Sequence, residues 1–402
     1  MSSTSRRNFI GKVSAGVAGT IATISPAATI LGSNNRLRVA LIGGGNRGQE
    51  LLRQAAAATN TEVVAVADVY ARRHEECRYV APGVRTFFDY RELLQDASID
   101  AVVIASPQHL HAEHFVAALE AGKHVYVENT MAFTVDQAKR MRQAYLKAGK
   151  TVQVGVQYCS SGHVRDAKEI LAGGRVGSIT EIHAHMYRNT PHGKPQWSRL
   201  VYPDVTPENV RWDLFQGEAP GREFDPQRFI NWRFFWDYSG GNVTENMVHQ
   251  IGFWYKALDL KIPRAVTMRG GLYHWKDGRE VPDTMTVVME QPEEMLFTGT
   301  SGFGNGRLGS AEHVLGTDGT LVRHRELRYM PEKVNQPQAA EIVGSHAGEN
   351  HMENFLDAIR SGQPPSCPFE IGFRTSIACR MAVESYRQGR TVHWDERREV
   401  IV

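Results

Sequence analysis

The sequence predicts an α/β protein built on a doubly wound parallel sheet of the Rossmann type, and three observations carry this prediction. A short apolar segment, residues 38–42 (RVALI), runs into the glycine-rich turn GGGNRG and then into a helical stretch. Short apolar segments and helical segments then alternate as far as residue 156. The length of 402 residues leaves room for a second domain, at roughly one domain per 150 residues.

Composition and charge point to a small-molecule partner. Hydrophobic residues make up 42% of the chain and charged residues 22%, an ordinary balance for a protein with a buried core. The 46 basic and 44 acidic residues nearly cancel and form no basic stripe, which argues against nucleic acid or an anionic membrane as partner. No bound metal is predicted, because the four cysteines have no CxxC spacing, although outside the cytoplasm they could still pair. They are Cys77, Cys159, Cys367 and Cys379.

The N-terminus has the features of an export signal. Residues 5–10 (SRRNFI), followed closely by Lys12, match the twin-arginine pattern, and a mildly apolar run covers residues 13–24. That run is too short and too weakly apolar for a permanent membrane anchor. We predict that residues 1–34 are a leader for the twin-arginine export machinery and that the protein works in the periplasm or elsewhere outside the cytoplasm. The alternative is a disordered basic tail.

The glycine-rich turn has the spacing of a dinucleotide cradle. Gly43 permits the tight turn, Gly45 lets the backbone approach a pyrophosphate, and Gly48 permits close packing of the helix that follows. The N-terminus of that helix then faces the phosphate charge. Asn46 and Arg47 lie inside the turn, and we assign them to the same site. The alternative is a glycine-rich turn with no ligand.

An acidic residue follows the next strand at the distance expected for this cradle. The segment VVAVAD ends in Asp68, 20 residues beyond Gly48, where a carboxylate would hold the adenine-ribose hydroxyls. The negative charge of Asp68 favours NAD over NADP, because it would repel a 2′-phosphate. Arg72 and Arg73 follow closely and keep NADP as an alternative.

The alternation of strands and helices continues to the end of a predicted first domain at residues 35–155. Ser106, Pro107, Glu128 and Asn129 stand where two strands end, at the carboxyl edge of the sheet where ligands bind in such folds, and Gln157 follows the last strand. We assign these residues to the cofactor site. The segments are DAVVIASP, a helix from about 111 to 121, HVYVE, a helix from about 134 to 148, and TVQVGV.

Three segments together resemble the Gfo/Idh/MocA oxidoreductase family. They are SPQHLHAEHFVAALEAGKHVYVEN, which includes His111, then SGGNVTENMVH at 239–249, and HMENFLDAIRSGQPP with EIGFRTS and GRTVHWD near the C-terminus. The resemblance covers nearly the whole chain after the leader. It implies that His111 belongs to the cofactor site and that residues 156–402 form a second, α+β domain with an open, mostly antiparallel sheet. It further implies C-terminal helices that return to the first domain, an active site between the domains, and a homo-oligomer.

One departure from the family pattern concerns the reacting centre. Where the family carries Glu-Lys-Pro, this chain has Glu128-Asn129-Thr130, and an asparagine side chain cannot carry the proton that the family lysine handles. The resemblance places His249 on the catalytic helix, and we predict that it is the general base. Glu245, four residues earlier, would orient the imidazole or hold a sugar hydroxyl. A surface pair between Glu245 and His249 is the alternative.

Further residues are weaker candidates for substrate contact. Tyr158 and His163 lie where the family places substrate-facing groups, and we include Tyr158 among the catalytic candidates. In the strand EIHAHMY, alternation puts His183, His185 and Tyr187 on the face opposite Ile182, Ala184 and Met186. His185 and Tyr187 could contact a sugar, whereas a metal bound by two of these histidines or a plain sheet face are the alternatives.

A proline-rich segment from about 190 to 236 carries four of the seven tryptophans. A long irregular segment needs large side chains that pack against the rest of the protein and hold it in place. We favour this role for the tryptophans over stacking on sugar rings. Arg233 in this segment is a further candidate for substrate contact. The tryptophans are Trp197, Trp212, Trp232 and Trp236.

The export signal and the dinucleotide cradle together restrict the function. The twin-arginine route carries folded proteins, so a bound cofactor travels with the chain, and outside the cytoplasm it must stay bound for long times. The hydride taken from one molecule must then be returned in the same site. We predict an oxidoreductase that acts on a sugar with retained, internally recycled NAD. The alternatives are an NAD-dependent redox-neutral glycoside hydrolase similar to family 109, and a catalytically inactive sensor or scaffold.

Overall fold

The computed structural model describes residues 36–190, 194–332 and 339–402. The leader predicted at residues 1–34 lies outside the described residues. Within the described ranges, none of the helices combines the length and the apolar character needed to cross a membrane.

A parallel sheet of six strands forms the N-terminal part of the described chain. Its strand order is β3-β2-β1-β4-β5-β6, which is doubly wound, and the predicted fold is confirmed. The four residues of β4 are all buried, as expected for a strand covered by helices on both faces. The strands are β1 Leu37–Ile42, β2 Thr61–Ala67, β3 Arg85–Phe87, β4 Ala101–Ile104, β5 His124–Glu128 and β6 Val152–Gly155.

Five helices connect these strands, and their ends follow from local sequence. The Thr134 hydroxyl accepts a hydrogen bond from the Gln137 N–H (3.1 Å) and caps the start of the helix that precedes β6. The same helix is capped at its other end by Gly149, which has φ 59°. The predicted helix from about 134 to 148 therefore begins one residue later than expected. The helices are α1 Asn46–Ala57, α2 Ala71–Val80, α3 Tyr90–Leu94, α4 His111–Glu120 and α5 Val135–Ala148.

The remainder of the chain builds a ten-stranded open sheet. Its order is β14-β13-β12-β11-β7-β10-β9-β8-β15-β16. Among the described strands of this second sheet, β7 and β10 form the one parallel pair. The mostly antiparallel sheet that the resemblance implied is therefore present. The strands are β7 Ile179–Tyr187, β8 Ala265–Gly271, β9 Thr284–Glu290, β10 Leu296–Gly302, β11 Ser310–Gly316, β12 Gly319–Arg323, β13 Leu327–Pro331, β14 Glu341–Val343, β15 Val392–Asp395 and β16 Val400–Ile401.

Helices cover one face of this second sheet. The alternation predicted for β7 is confirmed, because Ile182, Ala184 and Met186 are buried whereas His183 is exposed. The buried face packs into one apolar core with Trp254. The helices are α6 His163–Ala172, α7 Trp212–Gln216, α8 Pro226–Ile230, α9 Val248–Leu258, α10 His351–Ser361 and α11 Phe369–Gln388, and a π-helical turn, Val243–Met247, leads into α9.

The long α11 joins the two sheets. It packs against β8 and α9 on one side and against α5 and β6 on the other. At its first residue, the Phe369 ring stacks on Tyr145 of α5, with ring centroids 4.6 Å apart. The two sheets consequently share a continuous core.

The proline-rich segment docks on the parallel sheet. We call residues 194–238, which include α7 and α8, the strap. The Ala71 N–H donates to Asn209 O (3.0 Å) and the Arg211 N–H donates to Val69 O (2.8 Å), just beyond the end of β2. Beneath these bonds Tyr70 enters an apolar cluster with strap residues that include Val210 and Phe215. The strap is thus fixed to the loop that carries Asp68.

Candidate dinucleotide and substrate site

A single cavity of about 780 Å³ runs from the glycine-rich turn to His249. Its walls are the carboxyl ends of β1, β2, β4 and β5, the π-helical turn before α9, and the strap. The carboxyl edge of a doubly wound sheet is the usual place for a ligand in this fold. Most residues that the sequence assigned to the cofactor lie on this wall.

The glycine-rich turn fits a dinucleotide. Gly43 has φ +96°, and a Cβ there would lie 2.6 Å from Ser106 N, so a larger residue is excluded. A Cβ on Gly48 would lie 1.9 Å from Gly43 O, which explains the close packing of α1 on the turn. Around Gly45, by contrast, no atom lies within 4 Å of the Cβ position. That open side leaves the backbone at the start of α1 accessible to a pyrophosphate.

Asp68 stands at the end of β2 on the cavity wall. Its carboxylate accepts hydrogen bonds from the Gly44 N–H (2.6 Å) and the Tyr70 N–H (2.9 Å), which fix its position beside the turn. Arg72 and Arg73, the two arginines that kept NADP as an alternative, differ in their ion-pair partners and in their position relative to the cavity. Arg72 pairs with Asp204 of the strap (2.8 Å), whereas Arg73 lines the cavity and pairs with Glu76.

Glu128 is the centre of a hydrogen-bond network at the end of β5. Its carboxylate accepts from Arg47 Nε (2.9 Å), Gln157 Nε2 (3.0 Å), Tyr126 Oη (3.2 Å) and the Asn129 side-chain amide (2.8 Å). Burial raises the pKa of Glu128, but Arg47 and the hydrogen bonds from Asn129 outweigh burial and hold that pKa below its usual value. Glu128 is therefore a fixed anion that orders Arg47 and Gln157 on the wall.

His249 lies at the other end of the cavity, beside Asn129. Its Nε2 is 3.4 Å from the Asn129 amide nitrogen, and its Nδ1 is buried with no partner among the described residues. Burial lowers the pKa of His249 to about 4; the Glu128 carboxylate opposes this shift, whereas Arg47, His351 and Arg188 add to it. The imidazole is consequently neutral at neutral pH. Tyr158 packs beside it, with ring centroids 5.4 Å apart, but does not line the cavity.

Glu245 also lines the cavity, where contact with a sugar hydroxyl stays a prediction. Its carboxylate accepts hydrogen bonds from Arg233 Nε (2.7 Å), Gln108 Nε2 (2.8 Å) and Ser239 Oγ (3.1 Å). The described contacts include no hydrogen bond between the His249 ring and the Glu245 carboxylate, so the expected orientation of the imidazole by Glu245 is not found. The physical reason is the π-helical turn, whose wider repeat takes residues four apart out of α-helical register. The alternative of a surface pair is wrong, because the Glu245 side chain is only 7% exposed.

Several other predicted residues have different surroundings from those expected. Ser106 and Pro107 line the cavity, but His111 lies behind the wall, where its ring nitrogens are each 2.8 Å from the carbonyl oxygens of Ser106 and Thr130. His111 thus holds two wall loops together instead of facing the cavity. Arg233 does line the cavity, where it stacks on Trp232 at 4.1 Å.

His163, His185 and Tyr187 do not line the cavity. His163 begins α6, away from the wall. His185 and Tyr187 point from β7 to the face that carries no helices, where His185 Nε2 lies 3.3 Å from Leu308 O. A strand presents alternate residues to opposite faces, and the cavity is on the other one.

Sequence reasoning missed several wall residues. Arg188 follows β7, Asn246 lies in the π-helical turn, and Arg199 lies in the strap. Arg188 has a signal in the sequence, because the alternation of β7, continued by one residue, puts it on the same face as Met186. The four tryptophans of the strap have two kinds of surroundings. Trp197 and Trp232 line the cavity, whereas Trp212 stacks on Phe215 and Trp236 packs against Tyr386.

In the part of the chain that the structure describes, no three His, Cys, Asp or Glu side chains are grouped as metal ligands would be. All four cysteines are buried, free thiols.

Comparisons with known proteins agree with this architecture. Residues 37–156 match the Gfo/Idh/MocA family model, described as "Oxidoreductase family, NAD-binding Rossmann fold". Inositol 2-dehydrogenase 3 of Saccharopolyspora erythraea is 36% identical over 199 residues, which are 48% of this chain and 58% of that protein. Inositol 2-dehydrogenase of Salmonella typhimurium is 33% identical over 171 residues, 41% of this chain and 50% of that protein. The chain thus spans about half the length of the curated relatives it matches.

Solved structures match over most of the described chain. Levoglucosan dehydrogenase in complex with NADH has a TM-score of 0.68 at 21% identity, covering 89% of this chain and 99% of that one. An NAD-binding protein from Listeria innocua has a TM-score of 0.66 at 21% identity, covering 89% and 97%. At this identity the matches establish the fold alone. Residues 37–156 of this chain are similar to the NAD-binding Rossmann domain of the Gfo/Idh/MocA oxidoreductase family.

Proposed function

We propose that the protein is an NAD-dependent oxidoreductase that acts on a sugar or sugar derivative and keeps its cofactor bound between turnovers. One observation carries the proposal: a single cavity joins the glycine-rich turn and Asp68 to His249, Asn129 and Glu245. The names of the relatives, inositol 2-dehydrogenases and levoglucosan dehydrogenase, support a polyhydroxylated substrate. When bound, NAD accepts a hydride from a carbon that carries a hydroxyl and returns a hydride to a carbonyl.

In this proposal His249 handles the proton of the reacting hydroxyl. The Asn129 amide donates to Glu128 and, at 3.2 Å, to Gly155 O, so it is committed to the wall and has no proton to exchange. The neutral imidazole has a lone pair at Nε2, and the long 3.4 Å contact with Asn129 is weak enough for a substrate hydroxyl to replace it. Nε2 takes the hydroxyl proton during oxidation and gives a proton back during reduction.

Retention of the cofactor is supported by the strap. Two backbone bonds that flank Tyr70, just after Asp68, attach strap residues to the loop that closes the ribose end of the cavity, and Tyr202 and Leu200 of the strap line that cavity. We propose that residues 1–34 direct export of the folded, cofactor-loaded protein by the twin-arginine route. Outside the cytoplasm the oxidation of one sugar is then balanced by the reduction of a second carbonyl compound. Self-association of the protein, implied by the resemblance, stays a prediction.

The proposal is tested by what the purified protein carries and does. The mature protein, isolated without dialysis, is denatured, and the released nucleotide is identified by mass and absorbance. We expect about one NAD(H) per chain. Mixing the intact protein with candidate sugars, with and without a carbonyl acceptor, should then produce an aldonic acid or lactone and a reduced acceptor without added NAD. A protein that is isolated empty, and that binds NAD only weakly and reversibly, contradicts the proposal.

The presence of Asn129 where the resembled family carries a lysine favours a redox-neutral glycoside hydrolase as the second candidate function. In that reaction a ring hydroxyl is oxidised transiently, and the resulting ketone acidifies the neighbouring C–H. Loss of that proton eliminates the aglycone as the glycosidic bond breaks. Water then adds to the double bond, and the ketone is reduced again. The C–H needs a base that is neutral beforehand, which His249 is and an ammonium group is not. Release of the aryl alcohol from aryl glycosides without added NAD identifies this activity. Failure of both assays with cofactor still bound identifies an inactive sensor or scaffold.

A further inference from the structure

We propose that the substrate carries an anionic group, a carboxylate or a sulfate or phosphate ester, and that Arg188 binds it at the His249 end of the cavity. This inference rests on the proposed function, because it assigns the substrate class of the same site. It is carried by an imbalance of charge on the cavity wall. Near the glycine-rich turn Arg47 and Arg73 both have acidic partners, whereas at the His249 end Arg233 has one, Glu245, and the described ion pairs include none for Arg188 or Arg199.

Arg188 is a positioned guanidinium with no acidic partner. Its backbone N–H donates to Gly302 O (2.9 Å), which continues the pairing of β7 with β10 and fixes the residue at the strand end. Within the described residues, the polar contact of its side chain is a long one, from Nη2 to the Met186 sulfur at 3.8 Å. The described ranges contain every Asp and Glu of the sequence, and none of them pairs with Arg188.

Two other arginines add positive charge to this end of the wall. Arg233 uses its Nε for Glu245, while its face stacks on Trp232. Arg199 is fixed through its backbone, because its N–H donates to Asn231 Oδ1 (2.7 Å) and its carbonyl accepts from Asn231 Nδ2 (3.2 Å). The described ion pairs include none for the Arg199 side chain. Of these three wall arginines, Arg233 therefore has one ion pair, with Glu245, and the described ion pairs include none for Arg188 or Arg199.

The arginines near the glycine-rich turn are balanced. Arg47 pairs with Glu128 (2.9 Å) and Glu50 (2.7 Å), and Arg73 pairs with Glu76. The pyrophosphate of a dinucleotide would bind here, at the end of β1. His249 instead adjoins Asn129 at the end of β5, which is two strands away in the sheet, or about 10 Å, and the charge of Arg188 acts on His249. The anion expected at Arg188 is therefore on the substrate and not on the cofactor.

The chemistry of the guanidinium group selects the kind of ligand. Its planar fork matches a carboxylate, sulfate or phosphate with two parallel hydrogen bonds, and such charge-assisted bonds are stronger than neutral ones. Arg188 is exposed, so beside a neutral sugar its guanidinium keeps water as its partner, whereas an anion gives it charge-assisted hydrogen bonds. An anion there also removes part of the repulsion that opposes proton uptake by the imidazole. Binding of the correct substrate would thus make His249 a better base.

The test compares matched anionic and neutral sugars on the cofactor-loaded protein by calorimetry at low salt. The pairs are glucuronate with glucuronamide, galacturonate with galacturonamide, and glucose sulfated or phosphorylated at one hydroxyl with glucose itself. We expect at least one anionic member to bind roughly tenfold or more tightly than its neutral partner. The preferred pair tells a carboxylate from an ester. Arg188→Gln should abolish the preference without loss of bound nucleotide, and Arg188→Lys should retain part of it.

Arg307→Gln is the matched control, because Arg307 is an exposed arginine outside the cavity wall. It should leave the preference unchanged. The inference is wrong if no anionic member binds more tightly than its neutral partner, or if the preference survives in Arg188→Gln. Neutral sugars that reduce the bound cofactor while anionic ones do not would refute this inference and leave the proposed function standing. Anion binding through Arg188 without any redox reaction would refute the proposed function alone.

Discussion

At the scale of single residues, we propose that Asn129, which stands where the resembled family carries a lysine, leaves the proton chemistry to His249. A lysine at position 129 would bring an ammonium group next to the Glu128 carboxylate and within reach of His249 Nε2, where the asparagine amide now stands. The amide satisfies Glu128 without charge, and His249 remains a neutral acceptor. The two positions therefore act as one proton-handling unit, and changes at them are not independent.

A pair of substitutions tests that coupling. We expect His249→Ala to slow the reduction of bound cofactor by sugar roughly 10²- to 10⁴-fold, because the hydroxyl proton loses its acceptor. In an Asn129→Lys background the same substitution should cost clearly less, since the lysine takes over the proton. The measurement is the single-turnover absorbance of the reduced nicotinamide. His324→Ala changes an exposed histidine outside the wall and serves as the control. Equal losses in the two backgrounds would show that the role has not moved.

The residues of the site differ in how far the sequence reveals them. Gly43, Gly48 and Asp68 follow from spacing alone, because the turn and the next strand end have fixed geometry. His185 was misassigned as a substrate contact although its outward direction follows from the period of the strand. The partners of Glu245 could not be predicted, because the π-helical turn and the fold of the strap bring them together over long sequence distances.

At the scale of secondary-structure elements, the strap is the feature that separates this cavity from an open cleft. It reaches the loop after β2 through two backbone hydrogen bonds, and the Arg72 guanidinium adds a bidentate ion pair with Asp204 and stacks 4.4 Å from the Tyr202 ring. Both partners of the ion pair are 36% exposed, so solvent weakens it. Arg72 is thus engaged by the strap and not held ready for a 2′-phosphate.

Reversing the charges of this pair tests the part that the strap plays in cofactor retention. We expect Arg72→Asp and Asp204→Arg each to speed nucleotide release several-fold, because like charges then repel across the contact. The double variant, Arg72→Asp with Asp204→Arg, should restore much of the original rate. Release is followed by dilution into a trap for free NAD, at low and high salt. Arg328→Asp, which breaks an exposed pair on β13, should leave release unchanged. Unaltered release in both single variants would exclude a retaining role for this contact.

The sequence predicts helices and strands well where the spacing of apolar residues follows a single helical or strand period. The helix expected from about 111 to 121 is α4, His111–Glu120, and the strand HVYVE is β5. The order of the ten-stranded sheet is beyond such reasoning, because β7 pairs with β11 and β10, more than a hundred residues further along the chain. The strap is equally hidden, since its short helices are held by packing against the parallel sheet and not by their own periodicity.

At the scale of the whole molecule, the two sheets are joined at the site itself as well as through α11. Gln108, after β4, donates to Glu245 in the π-helical turn, and the Thr130 hydroxyl donates to Thr244 O (2.7 Å) in the same turn. Loops of the parallel sheet therefore directly hold the π-helical turn that leads into α9. The distance between the glycine-rich turn and His249 is set by these bonds, which favours a preorganised site.

The shared interior also determines how the folded protein responds to acid. His109, His114 and His351 are buried, and burial lowers their pKa values to about 4, about 3 and about 4. Each is neutral when folded, but takes up a proton near pH 6.5 when unfolded. Their stabilisation is complete above about pH 6.5 and is lost as the pH falls toward the folded values, because only the unfolded chain gains protons in that window.

We therefore expect the free energy of unfolding to fall as the pH decreases from about 6.5 to about 4.5, by up to about 1.4 kcal/mol per pH unit for each of the three histidines. Urea denaturation across this range, with NAD held in excess, measures the slope. His114→Gln keeps a polar partner for Ser106 Oγ and should flatten the slope, whereas His324→Gln, at an exposed position, should not. A stability that is constant down to about pH 5 would contradict this account. The lowered pKa of Glu128 postpones its protonation to more acidic pH than the histidine window, whereas burial raises the pKa of Asp68, whose protonation then opposes the histidine slope.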